Sequence, residues 1–161
     1  MNKEILTLVE KLFQLLKERK LTLATAESCT GGLLAAAITA VAGSSAYFDR
    51  GFIVYSNISK IEELGVTPEI LESFGAVSDE TAEAMARGAL VHSCAGISIA
   101  ITGIAGPGGA TQQKPVGTVS FAVACANSVR STTRHFSGSR EQIRERSVKF
   151  ALELLLGVVK K

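Results

Sequence analysis

The sequence predicts an α/β fold, a three-layer α/β/α sandwich around a mixed, mostly parallel sheet of about five strands. Segments with helical spacing alternate with short apolar, β-branched segments along the chain, as in sheets whose strands are joined by covering helices. Two strand-like segments near the end flank a turn at residues 126–128, which predicts a hairpin and one antiparallel pair. The length of 161 residues, with 47% hydrophobic and 20% charged residues, fits one domain over residues 1–161.

The first part of the chain predicts a helix, a strand and a second helix. Apolar residues from Ile5 to Leu16 recur with the spacing of one helical face, so we expect a helix over residues 3–19. Residues 21–26 alternate apolar and β-branched side chains and predict a strand, whereas residues 33–41 are rich in Ala and Leu and predict a helix. The junction between this strand and this helix is therefore short.

The middle of the chain predicts a strand followed by three helices. Residues 51–55 form the strand candidate, and Asn57 is the expected cap of a short helix that ends near Gly65. Thr67, which precedes a proline and an acid, predicts the start of the next helix. Ser78, which precedes two acids, predicts the start of the third.

The last part of the chain predicts three strands and a final helix. Residues 96–101 have the composition of a buried strand, and residues 116–125 and 131–136 form the expected hairpin. Ser139 and Gln142 have the spacing of a capping box and predict the start of the last helix.

Composition excludes several classes of function. The formal net charge is +2 and no dense basic run appears except Lys160-Lys161 at the end, so we expect no nucleic-acid partner. The N-terminal segment is charged and amphipathic, and no apolar run is long enough to cross a bilayer. We therefore expect a cytoplasmic protein with no membrane association.

The cysteines argue against a disulfide scaffold and against a structural zinc site. Cys29, Cys94 and Cys125 are odd in number and lack metal-ligand spacing. Cys94 and Cys125 stand among apolar or small residues and are predicted to be ordinary buried thiols.

A hydroxyl and a thiol stand together at the first junction between a strand and a helix. Ser28 and Cys29 follow the strand, and Gly31 and Gly32 precede the helix. A helix N-terminus exposes unpaired N–H groups, which stabilise an anion or a developing oxyanion. Ser28 is thus a candidate nucleophile, with a plain N-cap as its structural alternative. Cys29 is a rival nucleophile if its thiolate is stabilised at this position.

A lysine is the best candidate for the base that a serine nucleophile needs. His92 lies near a helix end and His135 in an edge-strand segment, which argues against a Ser-His-Asp triad. Lys60 lies on the short helix that follows Tyr55, and burial would lower its pKa toward a useful value. A dyad of Ser28 and Lys60, with Tyr55 orienting a group or relaying a proton, is chemically coherent. The alternative is that Lys60 is a solvated surface lysine.

A glycine-rich segment supplies a second candidate binding element. Residues 102–111 contain too many glycines for a helix or regular strand and lack the lysine of a Walker motif. Their N–H groups suit an oxyanion or a phosphate, although a long turn is the simpler interpretation. Arg140 at the start of the last helix, or Arg144 one turn later, can hold a phosphate. Surface pairs with Glu141 or Glu145 are the alternative for these arginines.

Taken together, these segments resemble the CinA C-terminal domain family, whose stand-alone members are nicotinamide-nucleotide amidases. The resemblance covers nearly the whole chain, in order, and is more specific than any one motif. Its blocks are TAESCTGG (25–32), GSS (43–45), GF (51–52), YSN (55–57) with Lys60, GAVS (75–78), GIAGP (103–107), KPVGTV (114–119) and FSG (136–138) with Arg140.

The resemblance implies conversion of nicotinamide mononucleotide, a small-molecule pyridine nucleotide, to nicotinate mononucleotide and ammonia. It implies that Ser28 is the nucleophile of an acyl-enzyme mechanism and that Lys60 and Tyr55 are its catalytic partners. It implies no metal, no organic cofactor and a homo-oligomer. The substrate-binding residues that it implies are Cys29, Thr30, Gly31, Thr102, Gly103, Ala105, Gly106, Gly108 and Arg140.

One position departs from the family pattern, and two other classes of function stay open. Ser139 stands where the family has an acid before the arginine, so an acid does not orient Arg140 from that position. A non-catalytic nucleotide-binding or regulatory module would keep the same pocket without turnover. A thiol enzyme would use Cys29 in place of Ser28.

Overall fold

The computed structural model describes residues 1–161 and contains six helices and five strands in the predicted order. A short 3-10 turn, Ser44–Ala46, precedes the second strand. The elements are α1 Lys3–Arg19, β1 Leu23–Glu27, α2 Leu33–Thr39, β2 Phe48–Ile53, α3 Asn57–Leu64, α4 Pro68–Phe74, α5 Asp79–Val91, β3 Ile97–Gly103, β4 Thr118–Cys125, β5 Ser128–His135 and α6 Arg140–Val159.

The five strands form one mixed sheet in the order β2-β1-β3-β4-β5. β1 pairs in parallel with β2 and β3, whereas β4 is antiparallel to both β3 and β5. Four strands therefore run in one direction, which confirms the predicted mostly parallel sheet. The sheet has two antiparallel pairings rather than one, because β4 lies between β3 and β5. The carboxyl ends of β1, β2, β3 and β5 consequently share one edge of the sheet.

Helices cover both faces of the sheet and give the predicted three layers. One apolar cluster, which contains Leu23 of β1, joins the sheet to α1, α2 and α6. The other cluster, which contains Ala26 of β1, joins the opposite face to α3 and α5, with α4 packed at its edge. Small side chains dominate this second face, so α5 lies close to the sheet. No helix has both the length and the apolar composition that crossing a membrane requires.

Helix caps agree with the sequence except at α3. Ser139 and Gln142 form the predicted capping box of α6. α3 is capped by Ser56 rather than by Asn57, since the N–H of Ser59 donates to Ser56 Oγ at 3.1 Å. Ser56 has the extended backbone of an N-cap, and Asn57 is already the first helical residue.

Strand β2 and two cysteines differ from expectation. β2 is Phe48–Ile53 rather than residues 51–55, because an edge strand carries polar side chains that hide its start. Cys94 is exposed in the loop after α5, and Cys125 is half-buried at the end of β4. The prediction that both thiols are buried was therefore wrong.

The end of α3 lies directly against α5 at a glycine. A Cβ on Gly88 would overlap the carbonyl oxygen of Leu64, the last residue of α3. Gly88 is therefore required for the close approach of the two helices, and this approach fixes the helix that carries Lys60.

We expect Gly88→Ala to lower the free energy of unfolding by about 1–3 kcal/mol, because the added methyl group overlaps backbone. Alanine is otherwise the better helix former by about 1 kcal/mol. Gly157→Ala is the matched control, since a Cβ at this exposed position of α6 has no neighbour within 4 Å. Urea unfolding should show a loss at Gly88 and a small gain at Gly157. Equal effects at the two positions would contradict the proposed close packing.

Candidate active site

A cavity of about 230 Å³ opens at the shared carboxyl edge of the sheet. Most residues expected at the site line it, but Thr30 and Gly31 do not. The expected residues that line it are Ser28, Cys29, Tyr55, Lys60, Thr102, Gly103, Ala105, Gly106, Gly108 and Arg140. Asn57, Ile104 and Gly109 also line it and belong to segments expected at this edge, whereas Ala76 and Val77 line it without having been expected.

Lys60 is buried and touches Ser28. Its side chain is only 1% exposed, so it is not the solvated surface lysine of the alternative interpretation. Lys60 Nζ lies 3.1 Å from Ser28 Oγ. It also donates to the main-chain oxygen of Val54 at 3.0 Å and to that of Tyr55 at 3.4 Å. The segment between β2 and α3 thus aims the amine at the serine.

Burial lowers the pKa of the Lys60 amine below its ordinary value of 10.5. The cause is the loss of hydration of the charged form. No carboxylate forms a salt bridge with Lys60 that would restore the charge. A larger fraction of the amine is therefore neutral near neutral pH than for an ordinary lysine. In that form two N–H groups satisfy the two carbonyls and the lone pair faces Ser28 Oγ.

Ser28 lies at the carboxyl end of β1, where the sequence placed it, and it does not cap α2. The N-cap of α2 is Gly32, which has no side chain. The N–H of Ser28 donates to the carbonyl of Ile101 at 2.9 Å, which fixes the residue beside β3. The N-cap alternative for Ser28 is therefore wrong.

Glu27 replaces the missing cap, and sequence reasoning did not identify this role. Its fully buried carboxylate accepts the N–H groups of Leu34 at 2.8 Å and Ala35 at 3.1 Å, and the hydroxyl of Thr30 at 2.8 Å. An acid near a helix that starts with glycine is the signal for this role, because the helix N–H groups need another acceptor. The side chain of Thr30 is thereby held by Glu27.

The segment of residues 28–32, which we call the nucleophile loop, keeps free N–H groups beside the serine. The N–H groups of Cys29 and Thr30 donate to no other residue, and neither does that of Ala105 across the cavity. Cys29 and Ala105 line the cavity. Unpaired N–H groups at buried positions are uncommon, and an oxygen of a ligand or of water would satisfy them.

Cys29 is a neutral thiol in this environment. Burial raises its pKa to about 12, against a smaller opposing effect of its own N–H group and of the Arg144 and Lys60 charges. The thiol form therefore dominates at neutral pH. Cys29 therefore forms a wall of the cavity and lacks the thiolate that nucleophilic attack requires.

Arg140 is the arginine that lines the cavity. It donates from Nη1 to the carbonyl of Gly106 at 2.8 Å and from Nη2 to the Tyr55 hydroxyl at 3.0 Å. The hydroxyl of Tyr55 makes no hydrogen bond to Ser28 or Lys60, and only its main-chain oxygen contacts the amine. Ser139, which stands where the family pattern has an acid, caps α6. Arg140 is instead oriented by Gly106 of the glycine-rich segment and by Tyr55.

Arg144 lies one turn further along α6 and does not line the cavity. It donates from Nε to the carbonyl of Cys29 at 3.1 Å and from Nη2 to that of Thr30 at 3.0 Å. Neither Arg140 nor Arg144 forms a salt bridge with Glu141 or Glu145. Arg140 therefore lies at the cavity and Arg144 outside it, although the sequence offered both equally as phosphate ligands.

The cavity is electropositive. Lys60 and Arg140 are its ionisable cationic groups, and no Asp or Glu lines it. The N-termini of α3 and α6, which begin at Asn57 and Arg140, lie at its wall and add partial positive charge. An anionic ligand suits this environment. No group of three or more His, Cys, Asp or Glu side chains is placed to hold a metal ion.

Comparison with known proteins identifies relatives of similar length and of greater length. The "Nicotinamide-nucleotide amidohydrolase PncC" of Escherichia coli K12 is 48% identical over 94% of this chain and 93% of its own length. The "Putative competence-damage inducible protein" of Caldicellulosiruptor saccharolyticus is 53% identical over 92% of this chain, which spans only 36% of that relative. Several relatives of the second kind are therefore much longer than this chain.

Solved structures and a family model agree with these relatives. The crystal structure of the competence/damage inducible protein CihA from Agrobacterium tumefaciens superposes with a TM-score of 0.95 at 44% identity, and covers 100% of this chain and 98% of its own. A competence or damage-inducible protein from Enterobacter asburiae superposes with a TM-score of 0.94 at 40% identity, over 98% of this chain and 99% of its own. The CinA C-terminal domain model matches residues 5–159. This chain belongs to the CinA C-terminal domain family.

Proposed function

We propose that this protein hydrolyses the carboxamide of nicotinamide mononucleotide to nicotinate mononucleotide and ammonia. The observation that carries the proposal is the buried contact of 3.1 Å between Lys60 Nζ and Ser28 Oγ in an electropositive cavity. The name of the Escherichia coli relative, a nicotinamide-nucleotide amidohydrolase that matches this chain over 93% of its own length, supports the substrate.

In the first half of the proposed reaction, Ser28 Oγ attacks the amide carbon while its proton passes to Lys60 Nζ. The lowered pKa of Lys60 supplies the neutral amine that accepts this proton. The tetrahedral intermediate then collapses, the C–N bond breaks, and the Lys60 ammonium returns the proton to the departing nitrogen. Ammonia leaves, and the acyl group remains as an ester on Ser28.

In the second half, water attacks the ester carbon and gives a proton to Lys60. Collapse of the second intermediate returns this proton to Ser28 Oγ and releases the carboxylic acid. The same amine therefore acts as base and as acid in both halves, and no further titratable group is needed near the bond.

The negative charge that develops on the amide oxygen needs donors, and we assign them to main-chain N–H groups. The N–H of Ser28 is engaged by Ile101, so it is not available. The free N–H of Cys29, the residue after the nucleophile, is the first donor, as in other acyl-transfer sites. Thr30 and Ala105 supply the remaining unpaired N–H groups nearby.

The other parts of the cavity are assigned to binding. Arg140 and the N-termini of α3 and α6 suit the phosphate, because the arginine fork and free helix N–H groups both favour its oxygens. Tyr55 holds Arg140 through its hydroxyl and Lys60 through its carbonyl, which is the orienting role. The backbone of Gly103, Ala105, Gly106 and Gly108 forms the wall opposite Cys29.

Two expected binding residues act indirectly in this proposal. The hydroxyl of Thr102 donates to the carbonyl of Ala76 at 2.7 Å and so fixes the cavity wall rather than the ligand. Gly31 has a φ of +57°, which favours glycine, and permits the turn of the nucleophile loop.

We expect Ser28→Ala and Lys60→Met each to reduce ammonia release from nicotinamide mononucleotide by about 10³-fold or more, because each removes a group that reacts. Lys149→Met is the matched control, since Lys149 is a surface residue paired with Glu4 at 2.7 Å. It should retain full activity. Full activity of Ser28→Ala would contradict the mechanism. Binding of the nucleotide without any turnover by the wild type would instead indicate the non-catalytic module.

The pH dependence should show Lys60 acting as a base. Burial lowers its pKa, and the active form is the neutral amine, so kcat/KM should rise with pH until it levels off below the ordinary lysine value of 10.5. At pH values below the shifted pKa, the rate should fall about tenfold per pH unit. The measurement is initial rate from about pH 6 to about pH 10. A flat profile over this range would exclude an amine base.

Arg140→Ala should raise KM for nicotinamide mononucleotide by about 10- to 100-fold, the effect of losing a charge-assisted hydrogen-bond pair. The dephosphorylated analogue nicotinamide riboside should be hydrolysed with nearly unchanged kcat/KM by the variant. Steady-state kinetics with both substrates test this, and Arg140→Lys should fall between the two proteins. An equal loss with both substrates would show that Arg140 does not recognise the phosphate.

A further inference from the structure

We propose that Arg144 is a positioning residue that holds the nucleophile loop in place and directs the Thr30 N–H toward the developing oxyanion. It acts from outside the cavity, through the carbonyls of Cys29 and Thr30. The inference rests on the proposed acyl transfer at Ser28 and goes beyond it, because it assigns a role in the reaction to a side chain that does not touch the substrate.

The guanidinium of Arg144 binds the nucleophile loop through two of its nitrogens. Nε and Nη2 donate to two successive carbonyls, those of Cys29 at 3.1 Å and Thr30 at 3.0 Å. A planar guanidinium holds two such acceptors in fixed relative positions. Arg144 has no acidic partner and does not line the active cavity. Its position outside the active cavity therefore does not suit a phosphate held there.

Peptide geometry transmits this contact to the other side of the loop. The carbonyl of Cys29 and the N–H of Thr30 belong to one planar trans peptide, so they point in opposite directions. Since Arg144 holds the carbonyl, the N–H of Thr30 is directed away from Arg144. This N–H has no acceptor although Thr30 is fully buried. A buried donor without a partner is costly, and a ligand oxygen would satisfy it.

The charge of Arg144 strengthens the same donors. A cation at the oxygen end of a peptide polarises it and makes the N–H end a better donor. The field of Arg144 also reaches the side chain of Cys29, where it opposes the effect of burial and lowers the pKa of the thiol. Negative charge next to Ser28 is therefore stabilised by a group that lies behind the loop.

Glu27 fixes the other end of the loop. Its carboxylate holds the Thr30 hydroxyl at 2.8 Å and the first N–H groups of α2. The loop is thus held from two sides, with its carbonyls on Arg144 and its side chain on Glu27. Gly31 lies between them, and a Cβ there would be 3.6 Å from Arg144 Nη2.

A second cavity, of about 320 Å³, gives solvent access to Arg144. It is lined by Arg144, Leu33, Glu141 and Glu145 among others, and shares no residue with the active cavity. A small cation can therefore reach the position of a deleted Arg144 side chain without entering the active site.

The test measures acetylation of Ser28 by p-nitrophenyl acetate, followed by mass spectrometry. This reaction forms the Ser28 ester with release of p-nitrophenolate and needs the oxyanion donors but not the nucleotide. We expect Arg144→Gln and Arg144→Ala to be acetylated about 10²-fold more slowly than the wild type. Arg144→Lys, which keeps the charge but loses the fork, should be intermediate.

Two controls separate positioning from folding. Arg146→Gln removes another arginine of α6, which donates to the carbonyl of Ser137 outside the site, and it should be acetylated at the wild-type rate. Guanidinium ion should restore acetylation of Arg144→Ala, whereas ammonium at equal ionic strength should not. Thermal unfolding shows which variants are folded. If Arg144→Gln and Arg144→Ala unfold the protein, the acetylation rate of Arg144→Lys tests the positioning role.

Nucleotide kinetics complete the experiment. In folded Arg144 variants, kcat for nicotinamide mononucleotide should fall while KM stays within about twofold, because the side chain does not contact substrate. Wild-type acetylation rates in Arg144→Gln, or a rise in KM with kcat unchanged, would overturn the inference. If the wild type is acetylated at Ser28 but releases no ammonia, the proposed substrate fails, and the acetylation rates alone then decide the role of Arg144.

Discussion

The burial of the Lys60 amine among neutral partners is the constraint on which the rest of the site depends. An ammonium loses several kcal/mol of hydration when it is buried. A carboxylate beside it would offset that loss and keep it protonated, but the structure offers the carbonyls of Val54 and Tyr55 and the hydroxyl of Ser28. Dipoles hold the amine in place without fixing its charge. The segment between β2 and α3 and the contact of α3 with α5 at Gly88 both serve this placement.

Cationic groups face the cavity beside the nucleophile loop, whereas the nearby carboxylate of Glu27 is held away from it. Glu27 is the acid nearest to Ser28 in sequence, yet its oxygens accept the Thr30 hydroxyl and two N–H groups at the start of α2, which directs the carboxylate away from the reacting centre. Arg144 holds the carbonyls of the loop, and Lys60 and Arg140 face the cavity. The reacting centre therefore meets cationic groups and unpaired N–H groups, which favour a transition state that gains negative charge.

Local sequence patterns were sufficient to predict the helices and strands and the residues that meet at the site. They were not sufficient to predict which contacts the side chains of those residues make. Apolar periodicity and caps gave the helices, and a parallel sheet brings Ser28, Lys60 and the glycine segment to one edge because strand ends share that edge. Arg140 and Arg144 lie four residues apart on one helix face, so only the tertiary structure shows that Arg140 contacts Gly106 whereas Arg144 contacts the nucleophile loop. The role of Glu27 and the place of β4 likewise depend on long-range packing that periodicity does not encode.

The contrast between Ser28 and Cys29 shows how backbone position outweighs intrinsic reactivity. A thiol is the stronger nucleophile by chemistry, and the two side chains are similarly buried, at 7% and 5% exposure. Ser28 meets the amine of Lys60, whereas Cys29 belongs to the apolar cluster below α6 and has a pKa of about 12. Both residues lie in the turn that follows β1, and this turn places their side chains in different environments. The hydrogen bond from Ser28 N–H to Ile101 fixes this turn, and with it the choice of oxygen over sulfur.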